Sequence, residues 1–446
     1  MHRHTEVTRN QPPHQKKSSR ARAVAAGAVL TAVAVTAAAC SSGSSSSTGG
    51  TAAAAGGGGS SPGVSSSTIK IGLLTSFTGP LAATFSTVAT GFEARIAMQN
   101  AEGGVDGRKI QIVNGDDQGS ATAALSAAKT LVEQDGVFAV GGLGTYVFAA
   151  ASYLQQQNIP VVGYSIDGGP EWAPPTTNTV AVLGSPNPSH PAPVAWGTFL
   201  KSHGATSVAA VGAAAPSAQV IAKNILSSAK AAGLKAPYLN TTIPLSQTAG
   251  FDSVVQAIKA SGADAVTMSQ GTAADLGLLS AIQQAGLKLK VILVLPPVPS
   301  VSITNAQVKT ELANTWSGWP VLPPIQNTAS NKVITDALAT YEHQTTLPDQ
   351  NELAAWASAD AIIKGLQAGG KNPTRTQFLT DLKGMTNYNG GGTALSPTNI
   401  SQAFGAGAQD AGAAPNDCLA FTQFVGDAYE PPTTVCGGLV PNSNAS

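Results

Sequence analysis

From Ile69 onward the chain alternates short apolar runs with longer amphipathic ones, and this rhythm limits the fold more than any other feature. Ile69–Leu74 (IKIGLL), Lys109–Val113 (KIQIV), Val137–Val140 (VFAV) and Ile159–Gly163 (IPVVG) are predicted strands. Helices are predicted over Phe85–Asn100, Ala121–Gln134 and Tyr146–Gln156. The pattern restarts at Ser207–Val211, with further strands at Ala263–Met268 and Val291–Leu295. Helices over Gln219–Ala232, Phe251–Ala260, Ala273–Ala285 and Asn305–Asn314 belong to this second series. Runs such as VFAV and VILVL are continuous, not alternating, which suits parallel strands buried on both faces. Repeated strand–helix units imply right-handed crossovers and doubly wound sheets. Ligands of such sheets bind beyond the carboxyl ends of the strands, so the residues just after each strand matter most.

Three more helices, at Lys332–Tyr341, Leu353–Gln367 and Thr376–Lys383, follow with little strand between them. They are expected to clad the first lobe after the chain crosses back. About 380 residues follow Thr68, more than one core usually serves, so two lobes are expected. No second Ser/Gly-rich linker separates them, so the lobes are interwoven.

Ahead of this region lies a different kind of sequence. Residues 1–22 carry six Lys/Arg against Glu6 alone, and Ala23–Ala39 carries no charge. That length fits a long signal core or a short membrane span, so either a cleaved signal or an N-terminal anchor helix is open. Alanine is only weakly hydrophobic, which argues against a stable span. Ala37-Ala38-Ala39 before Cys40 resembles the lipobox of bacterial lipoproteins. The resemblance implies that residues 1–39 are removed, Cys40 is acylated, and residues 40–67 form a flexible leash at the outer membrane face. Ala37 stands where leucine is commoner.

The whole chain balances 24 Lys/Arg against 24 Asp/Glu, and removing residues 1–39 leaves 18 against 23. No basic patch is visible, which argues against nucleic acid as a partner. Only 11% of residues are charged, and Ala and Gly are abundant, as in a soluble α/β protein with tightly packed small-residue helices. Outside the cytoplasm, Cys418 and Cys436 form an even pair in a compartment that permits disulfides. Between them Leu419–Val425, Gly426-Asp427 and Ala428-Tyr429 read as strand, turn and return strand. A bridge would staple that hairpin; two free buried thiols are the alternative.

Residues 100–110 read NAEGGVDGRKI, followed by IVNGDDQGSATAALSAAKTLVEQDGVFAVGG. With the opening IKIGLLTSFTGPLA, this is similar to the substrate-binding proteins of branched-chain amino-acid type ABC importers, the type I periplasmic-binding family. The matching residues are Asn100, Gly103, Gly104, Gly107 and Asp116-Asp117. Gly103 and Gly104 supply the positive φ needed to end a helix and reverse direction. The resemblance runs clearly over Ile69–Asn314 and weakly beyond. It implies two Rossmann-like α/β lobes with doubly wound parallel sheets, joined by three crossovers and closing on ligand by hinge motion. Lobe one maps to 68–186 and 320–411, lobe two to 187–319 and 412–440, and 441–446 form a tail.

The resemblance also places a ligand site. The loop after the third strand, Gly141–Thr145, would offer N–H groups and a hydroxyl to a carboxylate, through Leu143, Gly144 and Thr145. A helix N-terminus favours such an anion. Thr145 also suits an ordinary N-cap, and the two roles are compatible. Ser165 and Asp167 match the next contact loop, where Asp167 either pairs with an ammonium group or forms a turn before Gly168. Ser76, Thr84 and Phe85 lie where the family has a polar edge and an aromatic wall. In lobe two the family tyrosine aligns with Ser217, and an aromatic aligns near Gly271-Thr272 beside Gln270. The acid that binds an amino acid's ammonium aligns with Pro296-Pro297. A buried zwitterion needs a counter-charge, which leaves Asp167 as the candidate. Amino acids, amides, urea-like solutes and aromatic or short carboxylic acids stay open.

No G-x-S-x-G elbow, H-E-x-x-H or Walker loop is present, and His190, His203 and His343 show no metal spacing. His203, before Gly204, suits a helix C-terminus. No catalytic residue, metal or cofactor is expected. The implied partners are a small solute, ABC permease subunits and the membrane, through the lipid on Cys40, for a monomeric protein. A ligand-sensing lipoprotein would have the same fold and cleft. An extracytoplasmic hydrolase is the more distant alternative.

Overall fold

The computed structural model describes residues 61–164, 169–172, 176–183, 192–395, 397, 400 and 418–440. Cys40, the expected signal and the expected leash up to residue 60, Ser165, Asp167, His190 and the expected tail lie outside them.

The first sheet holds β1 (Thr68–Thr75), β2 (Lys109–Asp116), β3 (Ala139–Gly142), β4 (Val161–Gly163) and β5 (Thr179–Ala181). Its order is β2-β1-β3-β4-β5, all parallel. Helices α1 (Ala82–Phe85), α2 (Val88–Ala101), α3 (Ala121–Lys129, continued by a π-turn over Thr130–Gln134) and α4 (Phe148–Gln156) lie between these strands. The period-2 geometry of β1 sends Ile69, Ile71 and Leu73 to one core and Leu74 to another. The first core packs on α2, the second on α3 and α4.

The second sheet starts with β6 (Ser207–Ala213), β7 (Lys235–Ile243), β8 (Ala265–Ser269), β9 (Val291–Val294) and β10 (Trp316–Trp319). β11 (Leu419–Val425), β12 (Ala428–Tyr429) and β13 (Thr433–Val435) complete it. The order is β12-β11-β10-β9-β8-β6-β7, with β13 also on β11. The sheet is parallel from β7 to β10 and turns antiparallel at the expected strand, turn and return strand. β11 runs antiparallel to β10, β12 and β13; a short turn forces the reversal into β12, whereas β10 and β11 are separated by the chain's return to the first lobe. The turn falls at Gly426-Asp427, where Gly426 takes φ 62°. Cys418 and Cys436 face each other across it, their Cα atoms 4.0 Å apart. This sheet is covered by α5 (Ala195–Ser202) and α6 (Pro216–Ala231) on one side. On the other lie α7 (Asp252–Ser261), α8 (Thr272–Gln284) and α9 (Ala306–Leu312). His203 stands at the C-terminus of α5, as expected, with Nδ1 2.9 Å from the Phe199 carbonyl.

After β10 the chain returns to the first lobe as α10 (Ala329–Tyr341), α11 (Gln350–Gly369) and α12 (Arg375–Gly384). α11 packs along α2, and Gly91 permits the approach, since a Cβ there would sit 2.1 Å from the Glu352 carbonyl oxygen. Between these helices Arg95 Nη2 lies 3.0 Å from Asp360 Oδ1, and Lys364 Nζ lies 2.8 Å from Asp360 Oδ2. Asn100 closes the turn after α2 by pairing with both backbone groups of Ile110, each at 2.8 Å. Gly104 must be glycine there: its φ is 83°, and a Cβ would meet the Arg108 carbonyl oxygen at 1.9 Å.

Candidate functional site

The loops beyond β1, β2 and β3 are knitted together by side chains. The Ser76 hydroxyl donates to Asp117 Oδ1, which also accepts from the Gly119 N–H at 2.8 Å. Asp116 accepts from the Phe77 N–H at 3.0 Å, the Gln118 N–H at 2.9 Å and the Thr78 hydroxyl at 2.6 Å. Burial opposes the charge of Asp116, but these bonds outweigh it and hold its carboxyl below the ordinary value. For Asp117 burial wins, and its carboxyl is pushed up despite the bonds from Ser76 and Gly119. The Thr75 hydroxyl donates to the Leu143 carbonyl at 2.9 Å, which fixes the loop after β3.

Asp117 Oδ2 has no hydrogen-bond partner among the described residues. It is packed against Gly144, where a Cβ would lie 2.4 Å from it. Burial, with the Asp117 charge second, raises the pKa of Tyr146 as well. Thus Ser76, Leu143, Gly144 and Asp117 form one cluster, and Thr145, also buried, follows directly. Thr145 does not cap a helix. Residues 145–147 form a turn, and α4 begins at Phe148 with Val147 at the N-cap. The expected helix start at Tyr146 comes too early because the turn uses up those residues.

In lobe two the corresponding edge is the loop from β8 into α8. Gln270 and Asp275 are both buried. Asp275 Oδ1 accepts from the Gln270 N–H at 3.3 Å and from Gln270 Nε2 at 3.2 Å. Burial pushes the Asp275 carboxyl up to about 8, with the bonds from Gln270 and Gly271 offsetting only part. Ser217, half-buried, is the second residue of α6, and Ser269 Oγ donates to the neighbouring Ala218 carbonyl at 3.3 Å.

The two edges meet. The Thr272 N–H of α8 donates to Thr84 Oγ1 of α1 at 3.1 Å. Gly271 lies against Leu81 and Thr84. Leu245, after β7, packs on both the lobe-one core and the small cluster of Ala213, Ala215 and Ala218. Thr84 is therefore brought to Gly271-Thr272 of the other lobe, whereas Phe85 is buried in the lobe-one core. Sequence reasoning left Asp117 and Asp275 out of the site. Asp117 was visible only as half of an acidic pair, and Asp275 resembles any first-turn acid of a helix. Among the described residues no group of three or more His, Cys, Asp or Glu is placed to hold a metal ion. No described helix is long and apolar enough to cross a membrane.

Two open α/β lobes with strand ends and helix starts turned to a common interface define a class of two-lobed binding folds. The chain belongs to the periplasmic binding protein family, whose model matches residues 68–427. It is 31% identical over 96 residues to Leu/Ile/Val-binding protein homolog 2 of Brucella abortus (strain 2308), a match spanning 22% of this chain and 26% of that relative. Among solved structures it is similar to a fatty acid ABC transporter substrate-binding protein from Thermomonospora curvata. The TM-score there is 0.70 at 17% identity, over 87% of this chain and 96% of that one. It is also similar to a solute binding protein of an ABC transporter from R. palustris in complex with benzoate. That match has a TM-score of 0.66 at 17% identity, over 83% of this chain and 98% of that one. At such identities the structural likeness establishes the fold.

Proposed function

We propose that this chain is an extracytoplasmic solute-binding protein that captures a small polar solute between its lobes and delivers it to the permease of an ABC importer. The solute is an amino acid, an amide or a small carboxylic acid, and the role is binding without catalysis. One observation supports this above others: the loops at the carboxyl ends of both sheets converge, with Thr84 of one lobe against Thr272 of the other. The family match and the transport proteins of the same fold point the same way. Ser76, Leu143, Gly144 and Thr145 form the lobe-one half of the proposed site, together with Ser165 and Asp167. Ser217 and Gln270 form the lobe-two half, and Thr84 and Phe85 border it. Asp117 joins Asp167 as a counter-charge for an ammonium or an acceptor for an amide N–H, since Pro296-Pro297 stand in place of the family acid. The lobes are taken as 68–186 with 320–411 and 187–319 with 412–440. The protein acts as a monomer held at the outer membrane face by a lipid on Cys40, with Cys418 and Cys436 joined as a disulfide.

A thermal-shift panel of L-leucine, benzoate, octanoate and urea tests the reading, since a solute that binds only the native state raises the melting temperature. At least one should raise it, and Thr145→Ala should weaken that solute's calorimetric affinity by about 1–2 kcal/mol, the scale of one hydrogen bond to a charged group. No shift and no heat with any of the four would count against solute capture of this class.

A further inference from the structure

Helix α8 begins without a cap of its own. Its N-cap residue is Gly271, at φ 104°, with no side chain to accept from the first turn. The first backbone N–H groups of a helix need an outside acceptor, and Ser, Thr, Asp or Asn usually supplies it. Here the acceptor for Thr272 comes from the other lobe, as Thr84 Oγ1 at 3.1 Å.

The parts around this contact are fixed on both sides. Thr84 is buried, and its own carbonyl accepts from Asn351 Nδ2 at 2.7 Å, in the first turn of α11. The Thr87 hydroxyl, at the N-cap of α2, donates to Asp349, the N-cap of α11, so α1 and the start of α2 are each tied to that helix. On the lobe-two side Asp275 reaches back from inside α8 to the Gln270 N–H, which sets the loop before the helix. Gly271 leaves room for the approach: a Cβ would lie 3.2 Å from Thr84 Oγ1, and the positive φ already disfavours other residues.

We propose that Thr84 is a closure latch that completes the N-terminal cap of α8 across the cleft, so that lobe closure and helix capping are one event. In the closed arrangement the Thr272 N–H is satisfied by protein. Opening returns it to water and separates Gly271 from Leu81 and Thr84. The glycine at the N-cap position is part of the device, because its positive φ and missing side chain let Thr84 reach the first N–H of α8. This inference rests on the two-lobed fold and on named contacts, not on the identity of any solute.

The test uses the full chain without added solute, so its outcome is independent of the solute panel. Thr84→Val keeps the buried volume and removes the acceptor; Thr84→Ser keeps the acceptor. Hydrogen exchange over 270–276 should be about five-fold faster in Thr84→Val, the scale of one hydrogen bond. The radius of gyration from solution X-ray scattering should rise in the same variant. Thr84→Ser should match wild type in both readouts. Gly271→Ala, which crowds Thr84 from the other side, should also raise the radius, and keeps the test decisive if Thr84→Val folds poorly. A wild-type radius in both Thr84→Val and Gly271→Ala would overturn the proposal, whatever the local exchange rate.

Discussion

The two lobes share one open-sheet plan but put their charge in different places. In lobe one, Arg95 and Asp360 form a buried pair between α2 and α11, with side chains only 10% and 5% exposed. The capping box of Asp349 and Glu352 adds two more buried acids to the first turn of α11. Burial raises both of their pKa values. In lobe two, the described ion pairs are peripheral: Lys290–Asp264 is 51% and 24% exposed, and Lys309–Asp427 is 35% and 76% exposed. Its interior is mostly small and apolar, as in the fully buried Ser207–Ala213 strand, with Asp275 and Glu311 as buried acids outside any described ion pair. Lobe one therefore has a polar skeleton that fixes helix positions, and lobe two is held by packing. A lobe held by packing can carry an uncapped helix end to its partner, which suits α8.

The largest effect should come from breaking the lobe-one skeleton. Asp360→Ala leaves the Arg95 guanidinium buried without its counter-charge. It also removes the partner of Lys364. Losing one member of a buried pair costs about 3–5 kcal/mol. Urea unfolding of the variant should show that loss. A loss below about 1 kcal/mol would mean that water reaches Arg95 in the native state, and the contrast between the lobes would weaken.

Most of this architecture was legible because burial on both faces leaves a plain apolar signature, as in β1, β3 and β9. The strands and helices that were missed have a common cause: tertiary contacts supply what their sequences lack. β7 is an edge strand, alternately exposed and half-buried, with Pro237 inside it. β10 reads WSGW, and its Gly318 is pressed on the Trp196 ring, where a Cβ would lie 2.5 Å away. Neither signal is periodic. In the proposed site, the resemblance assigned Ser76, Leu143–Thr145 and Gln270, and these stand just after β1, β3 and β8. It did not disclose that Thr84 meets Thr272, since a contact 188 residues apart leaves no local pattern. Asp117 pairs with Ser76, 41 residues away, and Asp275 reads like any first-turn acid of a helix.

The buried acid of lobe two offers a finer comparison, through pH. Burial pushes the Asp275 carboxyl up to about 8 in the fold, from an ordinary value of 3.8. A raised acid favours the folded state below the unfolded value, and that benefit is lost as pH rises through the folded one. Between about pH 4 and 8 it should therefore lower stability with a slope approaching 1.4 kcal/mol per pH unit. Glu352 and Asp117, both raised by burial, act in the same direction in lobe one. Asp275→Asn cannot titrate, so the difference in slope between variant and wild type isolates the lobe-two part. Equal slopes from pH 5 to 8 would show that Asp275 is ionised throughout, with the acid burden in lobe one alone.

The smallest effect should come from the lobe-two periphery. Lys290 Nζ lies 2.9 Å from Asp264 Oδ2 and also donates to the Gly204 carbonyl at 2.8 Å. Asp264 has other donors besides it. The Thr206 and Ser207 N–H groups reach Asp264 at 2.9 Å each, and the Thr206 hydroxyl at 2.8 Å. Burial opposes the charge, but Lys290 and these donors together hold the carboxyl far below its ordinary value. Lys290→Ala removes one exposed partner and leaves the backbone donors in place, so it should cost about 0.2–1 kcal/mol, and less in high salt. Thr206→Val removes the hydroxyl from a carboxylate that stays charged, and should cost more than the lysine. The depressed Asp264 stabilises the fold above its unfolded pKa and loses that contribution as pH falls. Both variants should therefore converge on wild type in acid. If Lys290→Ala instead cost as much as Asp360→Ala in the same urea titration, the two lobes would share one electrostatic design, and the difference in exposure would not explain their behaviour.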